Sequence, residues 1–141
     1  METTTQLRVR DLMTEGVFAV HVDDVLATID ELMEERNIRH APVVGPGGDL
    51  VGLISQRDLL RHSLKDIPGI PLPSGRPLRQ TVTAGEIMTR DVRTAFRDQD
   101  IREAARVMLD HKYGCLPVVE GTRLVGIITE ADFVRFLAAG D

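Results

Sequence analysis

Apolar residues along this chain fall into short extended or helical stretches, each closed by acidic, glycine or proline residues, and the series occurs twice. Val17 to Val22 reads as a short extended segment that runs into an acidic helix start at Asp23-Asp24. Leu26, Ile29, Leu32 and Met33 follow at helical spacing, and Ile101, Ala104, Ala105 and Met108 repeat the i, i+3, i+4, i+7 template of a buried helix face. A hairpin comes next in each series: Ala41 to Val44, a Gly-rich turn and Leu50 to Ile54, then Leu116 to Val119, a turn and Leu124 to Ile128. A second helix starts at Ser55 or Thr129 and carries Leu59-Leu60 or Phe133-Val134 inward. The predicted order is β-α-β-β-α, twice, which is an α/β (α+β) fold.

The two series are copies. Met13-Thr14 recurs as Met88-Thr89, Val17 as Val92, Asp23 as Asp98, Met33 as Met108 and Pro42-Val43-Val44 as Pro117-Val118-Val119, all at a shift of 75 (88 − 13). After the hairpin turn the shift is 74 (124 − 50): Leu50-Val51-Gly52 matches Leu124-Val125-Gly126, Ile54 matches Ile128, Asp58 matches Asp132 and Arg61 matches Arg135. The slip of one residue falls in the turn, where a change of length costs least. The organisation read from this is repeat 1 over 7–64, a connector over 65–83 and repeat 2 over 84–138. Pro68, Pro71, Pro73 and Pro77 with Gly69 and Gly75 exclude regular structure from the connector.

Composition narrows the function. The formal net charge of -5 argues against a protein that binds nucleic acid by neutralising phosphates. No apolar run approaches the ~20 residues that span a bilayer. Met1 to Arg10 lacks the apolar core of a secretory signal, so a cytoplasmic protein with no membrane partner is expected. Cys115 is the single cysteine, which excludes an internal disulfide and fits a reducing compartment. His21, His40, His62 and His111 are scattered without zinc-ligand spacing, so no metal site is expected. No P-loop, no Cys-His or Ser-His-Asp arrangement and no paired catalytic acids stand out, and the expectation is that the chain is not an enzyme.

The chemistry concentrates at Ser55-Gln56-Arg57-Asp58 and Thr129-Glu130-Ala131-Asp132. A hydroxyl followed three residues later by an acid is what a helix start needs for capping. The same carboxylate at a helix N-terminus can accept hydrogen bonds from ribose hydroxyls, beside a dipole that favours phosphate. Capping and binding stay open together. Asp23-Asp24, repeated as Asp98 and Asp100, reads as capping; Met13, Met33, Met88 and Met108 read as packing or a dimer face.

The repeated unit, with Met-Thr at its head and Gly-x-Ile-[Ser/Thr]-x-x-Asp at its tail, closely resembles the cystathionine β-synthase (CBS) domain, and the pair resembles a Bateman module over about positions 9 to 138. The resemblance implies two β-α-β-β-α repeats packed about a pseudo-twofold axis, two clefts that take nucleotides, and a homodimer. It implies that Asp58 and Asp132 bind ribose and that Ser55 and Thr129 help to hold the nucleotide. It further implies that Arg39, His40 and Pro42, with Gly114, Cys115 and Pro117, line the clefts before the hairpins. Thr94 stands on a cleft wall, and Arg57, Arg61 and Arg135 can approach a phosphate tail. If phosphate contacts come from the repeat opposite the aspartate, the Asp132 cleft receives Arg39 and His40 and is the better site.

The function expected is a regulatory module that binds AMP, ADP or ATP, with or without magnesium and with no required cofactor. Because the chain ends almost where repeat 2 ends, it would signal to a separate, unknown protein partner. S-adenosylmethionine is the rival ligand, and a dimeric interaction scaffold with empty clefts is the rival function.

Overall fold

The computed structural model describes residues 7–63 and 81–139. Most of the connector, positions 65–80, lies outside the described residues. Contacts divide the chain into two compact units: a first unit over Phe18–Val92, and a second that joins the residues up to Val17 to those from Arg93 onward. The units do not coincide with the sequence repeats. Each contains the body of one repeat and the head of the other.

The first unit opens with strand β1 (Val20–His21), helix α2 (Leu26–Arg36), strands β2 (His40–Val44) and β3 (Leu50–Ser55) and helix α3 (Gln56–Ser63). β1 runs parallel to β2, and β2 antiparallel to β3, in the order β1-β2-β3. α2 puts Leu26, Ile29 and Met33 on its buried face, as the spacing predicts. Its start differs from the sequence expectation: Val25 occupies the cap position without a side-chain bond. Asp24 instead accepts the His21 N–H at 2.9 Å, so this acid closes the turn after β1 and not the helix. Asp100 does cap its helix, accepting the Arg102 N–H at 2.8 Å.

The second unit repeats the plan with helix α5 (Ile101–His111), strands β4 (Cys115–Glu120) and β5 (Arg123–Thr129) and helix α6 (Glu130–Ala139). Here the extended segment is reduced to one parallel bridge, Ala95 with Val118. Both long helices end in a left-handed residue, Asn37 or Lys112, after which Ile38 and Tyr113 donate back to the carbonyls of Met33 and Met108. Both hairpins slip register at matching places, between Val43 and Val44 and between Val118 and Val119. The slip leaves Val51 and Val125 as the extra residues of a bulge beside Gly52 and Gly126.

Those glycines receive the heads. Helix α1 (Val9–Leu12) and the Met13-Thr14 that follow it belong to the second unit, where Thr14 and Ile127 exchange backbone hydrogen bonds at 2.9 and 3.0 Å. Helix α4 (Ala84–Ile87) and Met88-Thr89 belong to the first, where Thr89 and Leu53 do the same at 2.9 and 3.0 Å. A methyl group added to Gly126 would stand 2.9 Å from the Thr14 carbonyl, and one on Gly52 would run into the Met88 side chain. The recurring Met-Thr and Leu-Val-Gly motifs are thus the two halves of one contact, made between repeats.

Charge pins the first head in place. Arg10 is bonded to Asp98, and Arg97 donates to Glu15 at 2.8 Å while its Nε lies 3.4 Å from Glu120. The Glu15 hydrogen bond, opposed in part by desolvation, holds the Arg97 guanidinium above its ordinary pKa. Val82 and Thr83, which the sequence assigns to the connector, are structured: Val82 accepts the Leu26 N–H at 3.0 Å, and Thr83 forms a capping box with Glu86 at the start of α4. Among the described residues, no helix is long and apolar enough to cross a membrane.

Candidate functional site

In both units the second strand of the hairpin ends on a hydroxyl residue, and the next residue starts a helix. Ser55 lies opposite His40 on β2, and Thr129 lies opposite Cys115 on β4. The first helical N–H closes the junction by donating back to the segment before the hairpin: Gln56 to the Arg39 carbonyl at 2.8 Å, Glu130 to the Gly114 carbonyl at 3.1 Å. Strand start, hydroxyl residue and helix start are therefore fixed together by the backbone. Sequence reasoning gave Arg39 and Gly114 a place in the site through their position before the hairpin. The resemblance gives the backbone of this segment a part in reading adenine; that the Arg39 and Gly114 carbonyls also tie down the helix start is what the structure adds.

The junction in the first unit holds Ser55 and Asp58 in reciprocal bonds. The Ser55 N–H donates to Asp58 Oδ2 at 2.9 Å, and the Asp58 N–H donates to Ser55 Oγ at 3.1 Å. Arg61 stands 4.0 Å from Asp58 Oδ1, beyond hydrogen-bond reach, and the Asp58 side chain keeps 21% of its surface exposed. Arg39 and Arg57 are exposed, and His40 is half-buried. Pro42 is fully buried in β2 opposite Leu53.

At the corresponding place in the second unit the junction is tighter. The Thr129 N–H donates to Asp132 Oδ2 at 2.8 Å, its hydroxyl lies 3.1 Å from the same oxygen, and the Asp132 N–H reaches back to Thr129 Oγ1 at 3.3 Å. Arg135 takes the other oxygen, with its NH2 donating to Asp132 Oδ1 at 2.6 Å. The Asp132 side chain is left 5% exposed, a buried carboxylate whose two oxygens are both satisfied, while Arg135 itself lies in the open. Arg135 was anticipated only as a group near a phosphate; its hold on the carboxylate depends on a rotamer that no sequence pattern specifies.

The remaining predicted residues of this unit fall beside the junction. Cys115 is buried, and desolvation pushes its thiol up to about 12. Pro117 is fully buried opposite Ile127, and its carbonyl accepts the Ala95 N–H at 2.9 Å. Half-buried Thr94 directly precedes Ala95. Each unit thus assembles its own share of the predicted residues: Arg39, His40, Pro42, Ser55, Arg57 and Asp58 in the first, and Thr94, Gly114, Cys115, Pro117, Thr129 and Asp132 in the second. Among the described residues, no group of three or more His, Cys, Asp or Glu side chains could hold a metal ion.

A junction of this kind presents backbone carbonyls, a hydroxyl and a fixed carboxylate at a positive helix terminus. The chemistry suits recognition of a diol next to an anion.

Comparison with known proteins gives two matches to the CBS domain model, over residues 9–65 and 84–139. An uncharacterized Methanocaldococcus jannaschii protein, MJ1225, is 33% identical over 134 residues, 93% of this chain and 43% of that protein. A homoserine O-acetyltransferase of Methanococcoides burtonii is 35% identical over 134 residues, 94% of this chain and 25% of the enzyme. The chain therefore spans less than half the length of these relatives. Among solved structures, the CBS domain pair of protein MJ0100 in complex with 5-methylthioadenosine and S-adenosyl-L-methionine aligns with a TM-score of 0.79 and 27% identity over 96% of this chain and 98% of that one. The protein CBSX2 in complex with AMP aligns with a TM-score of 0.77 and 27% identity over 94% and 96%.

Proposed function

This chain belongs to the CBS domain family as a pair of such domains, and on that premise we propose that it is a regulatory module which binds an adenosine-containing nucleotide, AMP, ADP or ATP. The observation that carries the reading is the duplicated junction, in which Ser55 with Asp58 and Thr129 with Asp132 hold a carboxylate still at a helix start. A carboxylate fixed in this way accepts both hydroxyls of a ribose without first being ordered, and charge-assisted bonds of this type contribute about 1.5–3 kcal/mol each. Adenine lies against the backbone before the hairpins, at Arg39-His40 and Gly114-Cys115, flanked by Pro42 and Pro117, with Thr94 beside it. Arg39 and Arg57 supply the positive charge for phosphate, with His40 beside them and magnesium accompanying a polyphosphate.

The similar structures contain AMP in one case and 5-methylthioadenosine with S-adenosylmethionine in the other, so the shared part of the ligand is adenosine. The exposed guanidinium groups of Arg39 and Arg57 favour the phosphorylated member, and S-adenosylmethionine is the alternative. The module acts as a binding protein, not an enzyme, and its cytoplasmic setting keeps Cys115 reduced. A ligand changes its shape only to the extent that it binds one conformation better than another, and a protein partner reads the change.

A second reading rests on the exposed apolar side chains Leu60, Leu109, Val134 and Leu137. Val134 and Leu137 share one face of α6, which suits a helix-mediated homodimer. In that reading the dimer is the function and the junctions are caps only.

Thermal melts with AMP, ADP, ATP and S-adenosylmethionine distinguish the two. A ligand at ~100 times its Kd stabilises by about 2.7 kcal/mol. The binding reading expects a shift with one adenosine ligand that is lost in a variant carrying both Asp58→Ala and Asp132→Ala. No shift with any of the four, in a chain that runs as a dimer, would leave the scaffold.

A further inference from the structure

The two carboxylates assigned to ribose differ in what already occupies them. Asp132 gives Oδ2 to its cap and Oδ1 to Arg135 at 2.6 Å; Asp58 gives Oδ2 to its cap, and Arg61 stays 4.0 Å from Oδ1. The arginines are equivalent by sequence, each three residues after its aspartate on the same helix. Their different reach is matched by burial: the Asp132 side chain is 5% exposed and that of Asp58 is 21% exposed.

We infer that Arg135 is a built-in competitor for the ligand at Asp132, so that the Asp58 site fills first and the Asp132 site fills only when Arg135 is displaced. The inference rests on the reading that these aspartates bind ribose. A cis-diol needs the outward oxygen of the carboxylate, because the inward one is held by the cap. At Asp58, among the described residues, no hydrogen bond reaches that oxygen. At Asp132 a guanidinium donor already satisfies it, and a hydroxyl that replaces the guanidinium exchanges a bond between two charges for a weaker one. Arg135 is exposed, which limits its advantage through screening and side-chain entropy. The expected penalty is therefore a factor of about two to five in affinity.

The Arg39 guanidinium leads to the same order within each unit. Arg39 and His40 stand at the Asp58 junction, whereas the matching positions at Asp132 are Gly114 and Cys115. This ranking is the reverse of the one expected from the sequence, which gave Arg39 and His40 to the Asp132 cleft. Arg135 thus adds to the difference in charge between the two sites, dividing them into an early and a late one and widening the concentration range over which the module responds.

The test is calorimetric titration of AMP into the full chain. Asp58→Asn keeps an acceptor for the Ser55 N–H while removing the charge, and it isolates the Asp132 site. Adding Arg135→Gln to that background should tighten AMP binding about two- to fivefold. The same exchange at Arg61, made in an Asp132→Asn background, should produce the smaller change. If AMP binds the wild-type chain and Arg135→Gln leaves affinity unchanged or weakens it, Arg135 is no competitor and the inference fails while the ligand reading stands. If AMP binds neither the wild type nor any variant, the nucleotide reading fails and takes the inference with it.

Discussion

In the first unit Val20, Leu26 and Ile29 fill the core alongside a small head residue, Ala84. The matching positions of the second unit carry Ala95, Ile101 and Ala104, with Val9 in the head. Volume has moved: two larger side chains in the body of one unit become alanines in the other, and the head grows from alanine to valine. Tyr113 and Phe133 pack where the first unit has Ile38 and Leu59, which returns part of the difference. One backbone plan thus supports two different packings, because a core tolerates redistribution when its total volume is kept. Each head is also fitted to the body it meets. Exchanging residues between the copies, though they look equivalent in sequence, should therefore do harm.

The largest effect expected from breaking this comparison is at Ile29. It is fully buried, and Ile29→Ala should cost about 2–5 kcal/mol, from lost transfer energy plus the cavity left behind. Writing the first unit's residue into the second, Ala104→Ile, should also destabilise, by about 1–3 kcal/mol, because Ala104 is fully buried in a core already filled by Val9 and Phe133. Urea denaturation followed by circular dichroism measures both. If Ala104→Ile proved neutral, the two cores would be interchangeable and the volume argument would be wrong.

A middle-sized effect separates the two head contacts. Gly126→Ala should cost about 2–3 kcal/mol and Gly52→Ala about 1–2 kcal/mol, both through overpacking. At Gly126 the new methyl group meets the Thr14 carbonyl at 2.9 Å, and backbone cannot swing aside. At Gly52 much of the conflict is with the Met88 side chain, although the Thr89 carbonyl at 3.0 Å limits the relief. Met88→Ala should therefore recover part of the loss from Gly52→Ala, whereas Met13→Ala should recover less of that from Gly126→Ala. Double-mutant cycles on the unfolding midpoints measure this directly. Equal recovery at both glycines would show that side chains, not backbone, set the fit.

These contacts also mark what the sequence does and does not disclose. Helix faces such as Leu26-Ile29-Met33 and the hairpin strands are legible because their periodicity is local. The Ser55-Asp58 and Thr129-Asp132 junctions are legible because capping requires particular residue types at a fixed spacing. The exchange of heads is not legible. Two copies of Met-Thr and two of Leu-Val-Gly can pair within a repeat or between repeats, and the residues are the same in either case. Helices α1 and α4 have four residues each, too few for a period to show. Asp23-Asp24 misleads because an acid before an apolar helix suits a tight turn as well as a cap, and here the turn takes it. Arg61 and Arg135 illustrate the last limit: their register is identical, and only their reach to the neighbouring carboxylate and its burial tell them apart.

The smallest effect follows from the exchange of His40 for Cys115 at matching places in the two hairpins. Burial pushes the Cys115 thiol from 9.0 to about 12, so the folded chain keeps its proton where the unfolded chain releases it. Below pH 9 both states are protonated and this group leaves stability independent of pH. Between about 9 and 12 the unfolded state binds fewer protons, and stability falls as pH rises, with a slope of at most about 1.4 kcal/mol per pH unit. By pH 9.5 the loss should be about 0.5–1 kcal/mol. The measurement is the difference in unfolding free energy between wild type and Cys115→Ala at pH 8 and pH 9.5, in which contributions common to both chains cancel. The wild type should lose the extra stability and the variant should not. A thiol reagent at pH 8 gives an independent reading, since a buried, protonated Cys115 reacts only as fast as the second unit opens. Rapid labelling of the folded chain would mean that the β4 strand start is open to solvent, and the second junction would then be no tighter than the first.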